Sequence, residues 1–393
     1  MRMLVLGAGL QGSACAHDLL QQPDVERVTL ADLRTDRLPR FLRSVRGRRL
    51  VLVKLNVKHT GALRKVMSGH AAVMCALPYY FNFDVARAAV AAGLHYSDLG
   101  GNTDIVVRQK QKLHKPAVKR GVSVIPDCGL APGMVNIIAA EGIRRAGEVE
   151  SVKIYVGGLP QHPEPPLNYQ IVYSLEGALD YYTTPSRVLR EGKVALVDAL
   201  SEIEHVEFPQ PVGRLEAFHT GGGISTLPWA FQGKVRTMEY KTLRYLGHAA
   251  LMRAMRELGL LDLKPITVGG KRVAPRDAFI AAVSPKLTKS GGGDLVALRV
   301  EVAGRNGRKF SWQLLDYADE HRGISAMMRT TGYSLSITGL LQARGVITAR
   351  GVNTPDEAVP FEAYVRELGA RGIGLKEVSS STASRAGDPS PRV

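Results

Sequence analysis

The feature that most constrains this chain is a glycine-rich turn close to its N-terminus. The segment Gly7-Ala8-Gly9-Leu10-Gln11-Gly12 follows an apolar run at residues 3–6 and precedes a helical pattern. In doubly wound α/β folds the first glycine permits the tight turn, the second lets backbone amides approach a pyrophosphate, and the third lets helix and strand pack closely. The helix N-terminus adds unpaired amides and a partial positive charge. The pattern predicts a dinucleotide site at Gly7, Gly9, Leu10, Gln11 and Gly12.

A carboxylate at the end of the next strand-like run predicts which nucleotide binds. Asp32 lies 20 residues past Gly12. A carboxylate at this place accepts hydrogen bonds from the ribose hydroxyls and repels a 2′-phosphate, so we expect NAD as the cofactor. Ala76, Leu77 and Pro78 end a further strand-like run, where ligands of such sheets lie. Two alternatives stay open: a glycine turn without a nucleotide, and a nucleotide that regulates rather than reacts.

The pattern along the chain predicts the fold class. Up to about residue 126, short apolar runs alternate with helical stretches, which is typical of an α/β fold with a Rossmann-type, doubly wound parallel sheet. After Asp127 the segments 149–156 and 294–302 alternate like strands of an open sheet, with a hairpin turn at residues 305–308. Residues 323–344 again read as helix. Residues 379–393 have little apolar area to bury, which predicts disorder.

Composition excludes several classes of protein. The 393 residues include 52 basic and 36 acidic side chains, a net charge of +16. Only 6% are aromatic and no basic run is interleaved with aromatics, so we expect no nucleic-acid partner. Cys15, Cys75 and Cys128 lie far apart, which predicts neither a disulfide framework nor a metal site. We find no apolar run of about 18 residues and no signal-like start, and therefore expect a cytoplasmic protein without a membrane partner.

Two further glycine turns place carboxylates beside the same crevice. Asp98 and Asp127 each follow a predicted strand and precede a glycine-rich turn. Both are candidate catalytic residues, and helix capping or turn formation is the alternative for each. Cys128 has no identifiable His partner, which favours hydride transfer without a covalent intermediate.

The order of motifs resembles the saccharopine dehydrogenase-like family over residues 1–372. The motifs that carry the resemblance are GAGLQG (7–12), CALPYYFN (75–82), GLHYSDLGG (93–101), DCGLAPG (127–133), KTLRY (241–245) and MMRTTGY (327–333). The segments GGLP (157–160) through Asn168-Tyr169, YTTP (182–185) and GISTLP (223–228) are most similar to the L-lysine 6-dehydrogenase subgroup.

The resemblance implies an organisation of the chain. It comprises an NAD-binding Rossmann domain at 1–128, an inserted α+β domain for substrate and dimerisation at 129–322, C-terminal helices at 323–375 that return to the first domain, and a disordered tail at 376–393. A homodimer or higher homo-oligomer is expected.

The resemblance also implies an activity, the NAD-dependent oxidation of the ε-amine of L-lysine to a cyclising semialdehyde with release of ammonia. Hydride leaves only when the nitrogen lone pair is free, so Asp98, Asp127 or His248 could accept the proton. Arg244 suits the substrate carboxylate, unless it is a structural or surface arginine. Thr331 and Gly332 fit a loop that closes over the substrate, or a helix cap and turn. The alternatives are a saccharopine- or carboxynorspermidine-type reductase and a non-catalytic, NAD-binding regulatory protein.

Overall fold

The first domain is built on a seven-stranded parallel sheet. The computed structural model describes residues 1–45, 47–172, 174–288 and 293–378. Numbered along the chain, the strands of this sheet are β1 (Arg2–Leu6), β2 (Arg27–Asp32), β3 (Leu50–Lys54), β4 (Ala72–Cys75), β5 (His95–Asp98), β6 (Ser123–Ile125) and β17 (Gly351–Val352). Their order across the sheet is β17-β6-β5-β4-β1-β2-β3, and every pair is parallel. The predicted doubly wound sheet of Rossmann type is confirmed.

Helices connect these strands, and local sequence determines where they end. They are α1 (Leu10–Leu20), α2 (Arg40–Ser44), α3 (Thr60–Met67), α4 (Asn82–Ala92), α5 (Thr103–Lys119) and α6 (Met134–Ala146), with a 3₁₀ turn at Tyr79–Phe81. Helix α4 ends at Gly93, whose φ of 74° is left-handed and therefore favours glycine. Helix α5 begins after Asn102, whose side chain accepts a hydrogen bond from the Ile105 amide at 3.2 Å.

A mixed sheet of nine strands forms the second domain. Its strands are β7 (Val149–Pro160), β8 (Ser186–Arg190), β9 (Lys193–Val197), β10 (Glu204–Glu207), β11 (Arg214–His219), β12 (Val235–Arg244), β15 (Asp294–Gly304), β16 (Lys309–Tyr317) and β18 (Leu375–Glu377). The main path is β10-β11-β12-β7-β15-β16-β18, in which only β12 and β7 are parallel. The predicted hairpin turn joins β15 to β16, with Gly307 at a φ of 82°.

Shorter elements lie around this sheet. They are α7 (Leu175–Thr183), α8 (Leu227–Ala230), α9 (His248–Glu257), α10 (Pro275–Leu287) and a separate hairpin of β13 (Ile266–Val268) and β14 (Lys271–Val273). In the described residues, no helix has the length and apolar character that a membrane span requires.

The C-terminal segment packs on the first domain, but it differs from the predicted set of helices. It contains a π-helical turn (Met328–Gly332), α11 (Tyr333–Ala343), α12 (Pro355–Ala358) and α13 (Phe361–Ala370). The Gln342 amide donates to the Tyr96 and Ser123 carbonyls, both at 3.1 Å, which fixes α11 against β5 and β6.

Three boundaries in this segment are corrected. Helix starts at residue 326 rather than 323. The segment supplies β17 to the first sheet, because the backbone at residues 351–352 pairs with β6. Residues 376 and 377 are not part of a disordered tail, since β18 pairs with the edge strand β16. The disorder predicted for residues 379–393 falls outside the described residues.

One continuous core joins the two sheets. Buried side chains from β1 (Val5), α6 (Ile138), β15 (Val300) and α11 (Leu335) belong to the same apolar cluster. Helices α6 and α11 therefore fix the second sheet relative to the carboxyl ends of the first, where ligands of such folds bind.

Candidate active site

The glycine-rich turn has the shape of a phosphate-binding loop. Gly7 has a φ of 101°, and a Cβ there would lie 2.7 Å from the Ala76 carbonyl oxygen. A Cβ on Gly12 would lie 1.8 Å from the Gly7 carbonyl oxygen. A Cβ on Gly9, by contrast, would have no neighbour within 4 Å. Two glycines are therefore required by packing, and the third borders open space that a ligand can enter.

Asp32 is fixed beside this turn. Its carboxylate accepts hydrogen bonds from the Ala8 amide at 2.7 Å and the Arg34 amide at 2.8 Å. Helix α1 has no side-chain cap, so its first amides are available to an anion. Leu10 is 48% exposed at the same end of the helix. The residues fit a dinucleotide, with Ala76 and Leu77 partly exposed and Pro78 exposed at the end of β4.

A cavity of about 180 Å³ lies between the dinucleotide turn and the second sheet. The first domain contributes Gln11 and Leu99 to its wall, and the loop after β6 contributes Gly129, Leu130, Ala131 and Pro132. The rest of the chain contributes Val156, Gly158, Tyr181, Tyr240, Thr242, Arg244, Met327 and Thr331. The predicted residues Gln11, Arg244 and Thr331 thus come together at one cavity.

Arg244 is buried at the wall of this cavity and held by hydrogen bonds. Its Nε donates to the Tyr182 hydroxyl at 3.0 Å, and its Nη1 donates to the Leu243 carbonyl at 2.8 Å. The guanidinium also lies 5.0 Å from the centre of the Tyr169 ring. The side chain is 3% exposed, so Arg244 is not the surface arginine of the alternative interpretation.

His248 orients this arginine rather than facing the cavity. Its Nδ1 donates to the Leu167 carbonyl at 2.9 Å, which leaves Nε2 to accept from the Tyr182 hydroxyl at 3.0 Å. Burial, with the nearby Arg244 charge, lowers the pKa of His248 to about 3. The imidazole is therefore neutral and already bonded at both nitrogens. The expectation that His248 accepts a substrate proton is not supported by this geometry.

Asp98 holds the loops of the site together. Its Oδ1 accepts from the Gly100 amide at 2.7 Å and from the Asp127 amide at 3.3 Å, and its Oδ2 accepts from Gln109 at 3.1 Å. Burial raises the pKa of Asp98, and these hydrogen bonds oppose the rise. With both oxygens occupied, its predicted catalytic role becomes a positioning role.

Asp127 differs, because neither carboxylate oxygen has a hydrogen-bond partner among the described residues. The side chain is buried against Gly100, where a Cβ would lie 1.9 Å from Oδ1. Burial raises the pKa of Asp127 to about 7, and the Asp98 and Asp356 charges add to the rise. The nearby Ser225 hydroxyl, which lies outside hydrogen-bond geometry, partly offsets it. This carboxylate can take up or release a proton near neutral pH.

Asp127 packs against a loop, residues 99–101, that borders both cavities. Leu99 lines the smaller cavity and Gly101 a larger one, and Gly100 between them contacts the carboxylate. Its own neighbour Cys128 is 1% exposed and donates to the Ile125 carbonyl at 3.1 Å. Burial raises the pKa of that thiol well above its usual value, so it lacks the ionised sulfur of a nucleophile.

Of the two predicted residues at the π-helical turn, only Thr331 reaches the cavity. A Cβ on Gly332 would lie 2.8 Å from both the Ala14 Cβ and the Gln11 carbonyl oxygen. Gly332 therefore allows this turn to pack against α1 and does not line the cavity, so its substrate contact stays a prediction. The segment is a helical turn rather than a closing loop.

A second cavity of about 430 Å³ adjoins the first, and Tyr181 lines both. It is bordered by the start of α5 and by Arg187 of β8. Glycines fix the tyrosines between the cavities. A Cβ on Gly222 would lie 2.7 Å from the Tyr181 ring, and one on Gly223 would lie 2.2 Å from the Tyr240 ring.

Among the described residues, Glu202, His219 and Glu239 bring three potential metal ligands within 4.8 Å of one another. Arg190 donates to both carboxylates, at 2.7 Å and 2.8 Å. The two carboxylates are already ion-paired, Glu202 with Arg190 and Glu239 with both Arg190 and Lys153, and none of the three cluster residues lines either cavity.

Sequence reasoning missed the residues that second-sheet strands contribute. Tyr240 and Thr242 share a face of β12 with Arg244, because alternate residues of a strand point the same way. Extending the alternation backwards from Arg244 would have found them. Tyr181 and Val156 carry no comparable local signal.

The parallel sheet, the open phosphate-binding turn and the adjoining cavity define a two-domain nicotinamide-nucleotide-binding protein. Residues 3–125 match the family model described as the saccharopine dehydrogenase NADP binding domain. Residues 129–373 match the saccharopine dehydrogenase C-terminal domain. The chain belongs to the saccharopine dehydrogenase family, as the motifs predict.

Individual relatives are more distant. The chain is 25% identical over 308 residues to the saccharopine dehydrogenase [NADP(+), L-glutamate-forming] of Saccharomyces cerevisiae, covering 75% of this chain and 66% of that protein. It is 26% identical over 272 residues to the mitochondrial alpha-aminoadipic semialdehyde synthase of Mus musculus, covering 66% of this chain and 28% of that protein.

Solved structures share the fold. The apo saccharopine dehydrogenase (L-Glu forming) from Saccharomyces cerevisiae has a TM-score of 0.78 at 22% identity, covering 97% of this chain and all of that one. The homospermidine synthase from Legionella pneumophila in complex with NAD has a TM-score of 0.66 at 12% identity, covering 99% and 94%.

Proposed function

We propose that this protein is an NAD-dependent dehydrogenase that oxidises the ε-amine of L-lysine. The balanced reaction converts the protonated amine, NAD⁺ and water into an aldehyde, an ammonium ion, NADH and one proton. The observation that carries the proposal is a buried arginine, Arg244, on the wall of one small cavity, with a buried carboxylate, Asp127, packed against Gly100 next to the lining residue Leu99.

The small cavity suits a single amino acid. Its volume of about 180 Å³ is below the roughly 300–1,000 Å³ typical of sites for drug-sized ligands. Arg244 brings a positive charge to the cavity wall for the α-carboxylate, and its bond to Tyr182 fixes its direction. The resemblance of residues 157–169 and 223–228 to lysine-oxidising enzymes selects lysine among the amino acids.

Asp127 supplies the acid–base chemistry in this proposal. An ε-ammonium group has a pKa near 10.4, so its reactive neutral form is scarce at pH 7. The Asp127 carboxylate accepts the ammonium proton, which frees the nitrogen lone pair before hydride leaves the adjacent carbon. A nicotinamide nucleotide bound at the glycine-rich turn supplies the hydride acceptor. Asp98 keeps the Asp127 backbone in place through the bond from the Asp127 amide.

The choice of NAD rests on Asp32. Its carboxylate charge disfavours a 2′-phosphate, and its two backbone hydrogen bonds hold it at the turn. The family model and the Saccharomyces cerevisiae relative are named for NADP, so the proposed preference for NAD rests on Asp32 of this chain alone.

A second candidate is a reductase that joins an amine to a keto acid or aldehyde, as the names of the yeast and Legionella relatives suggest. The cavity of about 430 Å³ favours it, because Arg187 on its wall could bind a second carboxylate. An assay of NADH formation from L-lysine alone, compared with saccharopine, separates the two candidates. Ammonia release in step with NADH supports the first.

A further inference from the structure

Tyr181 lies at the boundary between the two cavities of the site. Among the described residues, it is the only one that lines both the smaller cavity, of about 180 Å³, and the larger cavity, of about 430 Å³. It stands in the last turn of α7, next to Tyr182, which holds Arg244 at the smaller cavity. The position of the Tyr181 ring therefore decides whether a ligand in the smaller cavity can extend into the larger one.

A loop of three glycines fixes this ring. The Gly221 amide donates to the Tyr181 carbonyl at 3.0 Å, and a Cβ on Gly222 would lie 2.7 Å from the Tyr181 ring. A Cβ on Gly223 would lie 2.2 Å from the ring of Tyr240, which lines the smaller cavity. All three glycines line the larger cavity. The Tyr181 ring therefore packs directly on backbone that forms the wall of the larger cavity, which limits its movement in that direction.

Tyr181 acts in this arrangement through the size of its ring rather than through its hydroxyl. Burial raises the pKa of Tyr181, and the neighbouring Tyr240 hydroxyl adds to the rise. The phenol is therefore protonated and uncharged at neutral and mildly alkaline pH. An uncharged ring at a cavity boundary discriminates between ligands by occupying the space that the larger ligand needs.

The larger cavity can hold an acidic group if the boundary is opened. Arg187 of β8 is the one basic residue on its wall among the described residues. The Arg187 guanidinium lies 4.3 Å from the centre of the Trp229 ring, which orients it. Of the two acidic residues on the same wall, Asp180 is ion-paired with the buried Arg276, and Asp104 is exposed to solvent. Arg187 is therefore the group that would recognise a carboxylate there.

We propose that Tyr181 is a specificity-determining residue, whose ring confines the substrate to the smaller cavity and so selects a primary ε-amine over an N6-substituted lysine. The inference rests on the proposed function and concerns which amines the site accepts. Saccharopine is a lysine whose ε-nitrogen also carries a dicarboxylic arm. A cavity of about 180 Å³ that holds the lysine part leaves no room for this arm, and the adjoining space lies beyond Tyr181. L-Lysine carries no such arm and needs only the smaller cavity.

Replacing Tyr181 by smaller side chains tests this selection, and Tyr181→Phe is the matched control that keeps the ring. The probe is saccharopine, titrated by calorimetry into protein saturated with NADH, so that no turnover interferes. Relative to the parent protein, we expect Tyr181→Ala to lower the Kd of saccharopine by at least about ten-fold, Tyr181→Leu to lower it less, and Tyr181→Phe to leave it unchanged. The Kd of L-lysine should fall in none of the variants.

Equal saccharopine affinities in the parent protein and both smaller variants would overturn the selection. A parent protein that binds saccharopine as tightly as L-lysine would overturn it as well. Thermal unfolding shows which variants are folded, and Tyr181→Leu, which keeps more of the side-chain volume, preserves the test if Tyr181→Ala does not fold.

A second substitution locates the arm of the bound probe. Arg187→Gln removes the basic group from the larger cavity and changes no residue on the wall of the smaller one. Combined with Tyr181→Ala, it should reverse most of the gain in saccharopine affinity, because a charge-assisted hydrogen bond is lost. A gain that persists in full without Arg187 would show that the arm does not enter the larger cavity, and would contradict the proposal.

Binding and turnover together separate failure of this inference from failure of the proposed function. If the parent protein oxidises L-lysine but saccharopine affinity does not depend on residue 181, only the selection by Tyr181 is refuted. If no variant oxidises L-lysine but saccharopine affinity rises from Tyr181→Phe through Tyr181→Leu to Tyr181→Ala, only the proposed reaction is refuted.

Discussion

At the scale of single residues, the buried carboxylate of Asp127 lowers the stability of the folded protein but is proposed to act as the base. It is a carboxylate buried without hydrogen bonds, at a left-handed φ of 62° that Asn adopts equally well. Because its pKa rises from 3.8 to about 7 on folding, the ionised protein loses about 4 kcal/mol of stability from this group. Asp127 is therefore expected to serve the chemistry of the site rather than the stability of the fold.

Because the buried, ionised carboxylate of Asp127 lowers the stability of the fold, Asp127→Asn should have opposite effects on stability and activity. The folded pKa lies above the unfolded one, so the penalty is absent below pH 4, grows as pH rises to about 7 and is constant above that. The variant should be more stable than the parent by an amount that grows over this range, while amine oxidation is lost. Thermal unfolding at pH 4 and pH 8, with activity at pH 8, measures both. Equal gains at the two pH values would contradict a buried ionisation.

The pH dependence of the parent enzyme follows from the same residue. A base must be ionised to act, so kcat/KM for the amine should rise with pH through about 7. Ionisation of the substrate ammonium, with its pKa near 10.4, should raise the rate further and give an alkaline optimum. A profile of kcat/KM from pH 5 to pH 10 tests this. A rate that falls between pH 6 and pH 8 would exclude Asp127 as the base.

Arg244 is predicted to recognise the substrate carboxylate. Arg244→Lys keeps the charge but loses the planar fork, and a charge-assisted hydrogen bond is worth about 1.5–3 kcal/mol. KM for the amino acid should therefore rise by about ten-fold or more while KM for NAD stays constant. Arg187→Lys, at the larger cavity, is the matched control for lysine oxidation. If Arg187→Lys raises KM and Arg244→Lys does not, the substrate binds in the other cavity.

Asp32 is predicted to set the nucleotide preference. The parent enzyme should use NAD more efficiently than NADP, and Asp32→Ala should reduce the ratio of the two kcat/KM values by removing the charge that repels a 2′-phosphate. Steady-state kinetics with both nucleotides measure the ratio. Equal efficiencies in the parent enzyme would show that Asp32 only supports the turn.

At the scale of elements, two glycines of the turn between β1 and α1 have different tasks: Gly12 allows close packing, and Gly9 leaves space for the nucleotide. Gly9 has φ and ψ values of −68° and −173°, which alanine adopts, and no atom lies near its Cβ position. Gly9→Ala should therefore fold normally but bind NADH weakly, since the methyl group enters the phosphate space. Gly12→Ala should lose on the order of 1–3 kcal/mol of stability through overpacking. Thermal unfolding without nucleotide and a fluorescence titration with NADH distinguish the two, and a destabilised Gly9→Ala would contradict the assignment.

Elements with a strong local pattern could be predicted from the sequence. Strand β1, the glycine turn and Asp32 follow each other within one crossover unit, so spacing alone locates them. Strand β17 could not be found this way, because two residues such as Gly351 and Val352 have no periodicity and pair with β6 only through the tertiary fold.

At the scale of the whole molecule, a parallel-sheet domain joined to a second α+β domain could be predicted, but the interface between them could not. The cavity wall combines Gln11 of the first domain with Arg244 and Tyr181 of the second. Their proximity depends on how α6 and α11 fix the two sheets, which is a property of packing rather than of local sequence. The expected homo-oligomer remains a prediction, which sedimentation of the purified protein tests.

We propose that this protein, with NAD as the only co-substrate besides water, oxidises L-lysine at its ε-amine. The most direct measurement incubates the purified protein with L-lysine and NAD at pH 9 to 10 and follows NADH and ammonia together. We expect equal amounts of NADH and ammonia, with no keto acid or second amine added. NADH from saccharopine or a carboxylated polyamine, with none from lysine, would instead support the reductase. Tight NAD binding without turnover of any amine would indicate a regulatory protein and contradict the proposed oxidation of lysine.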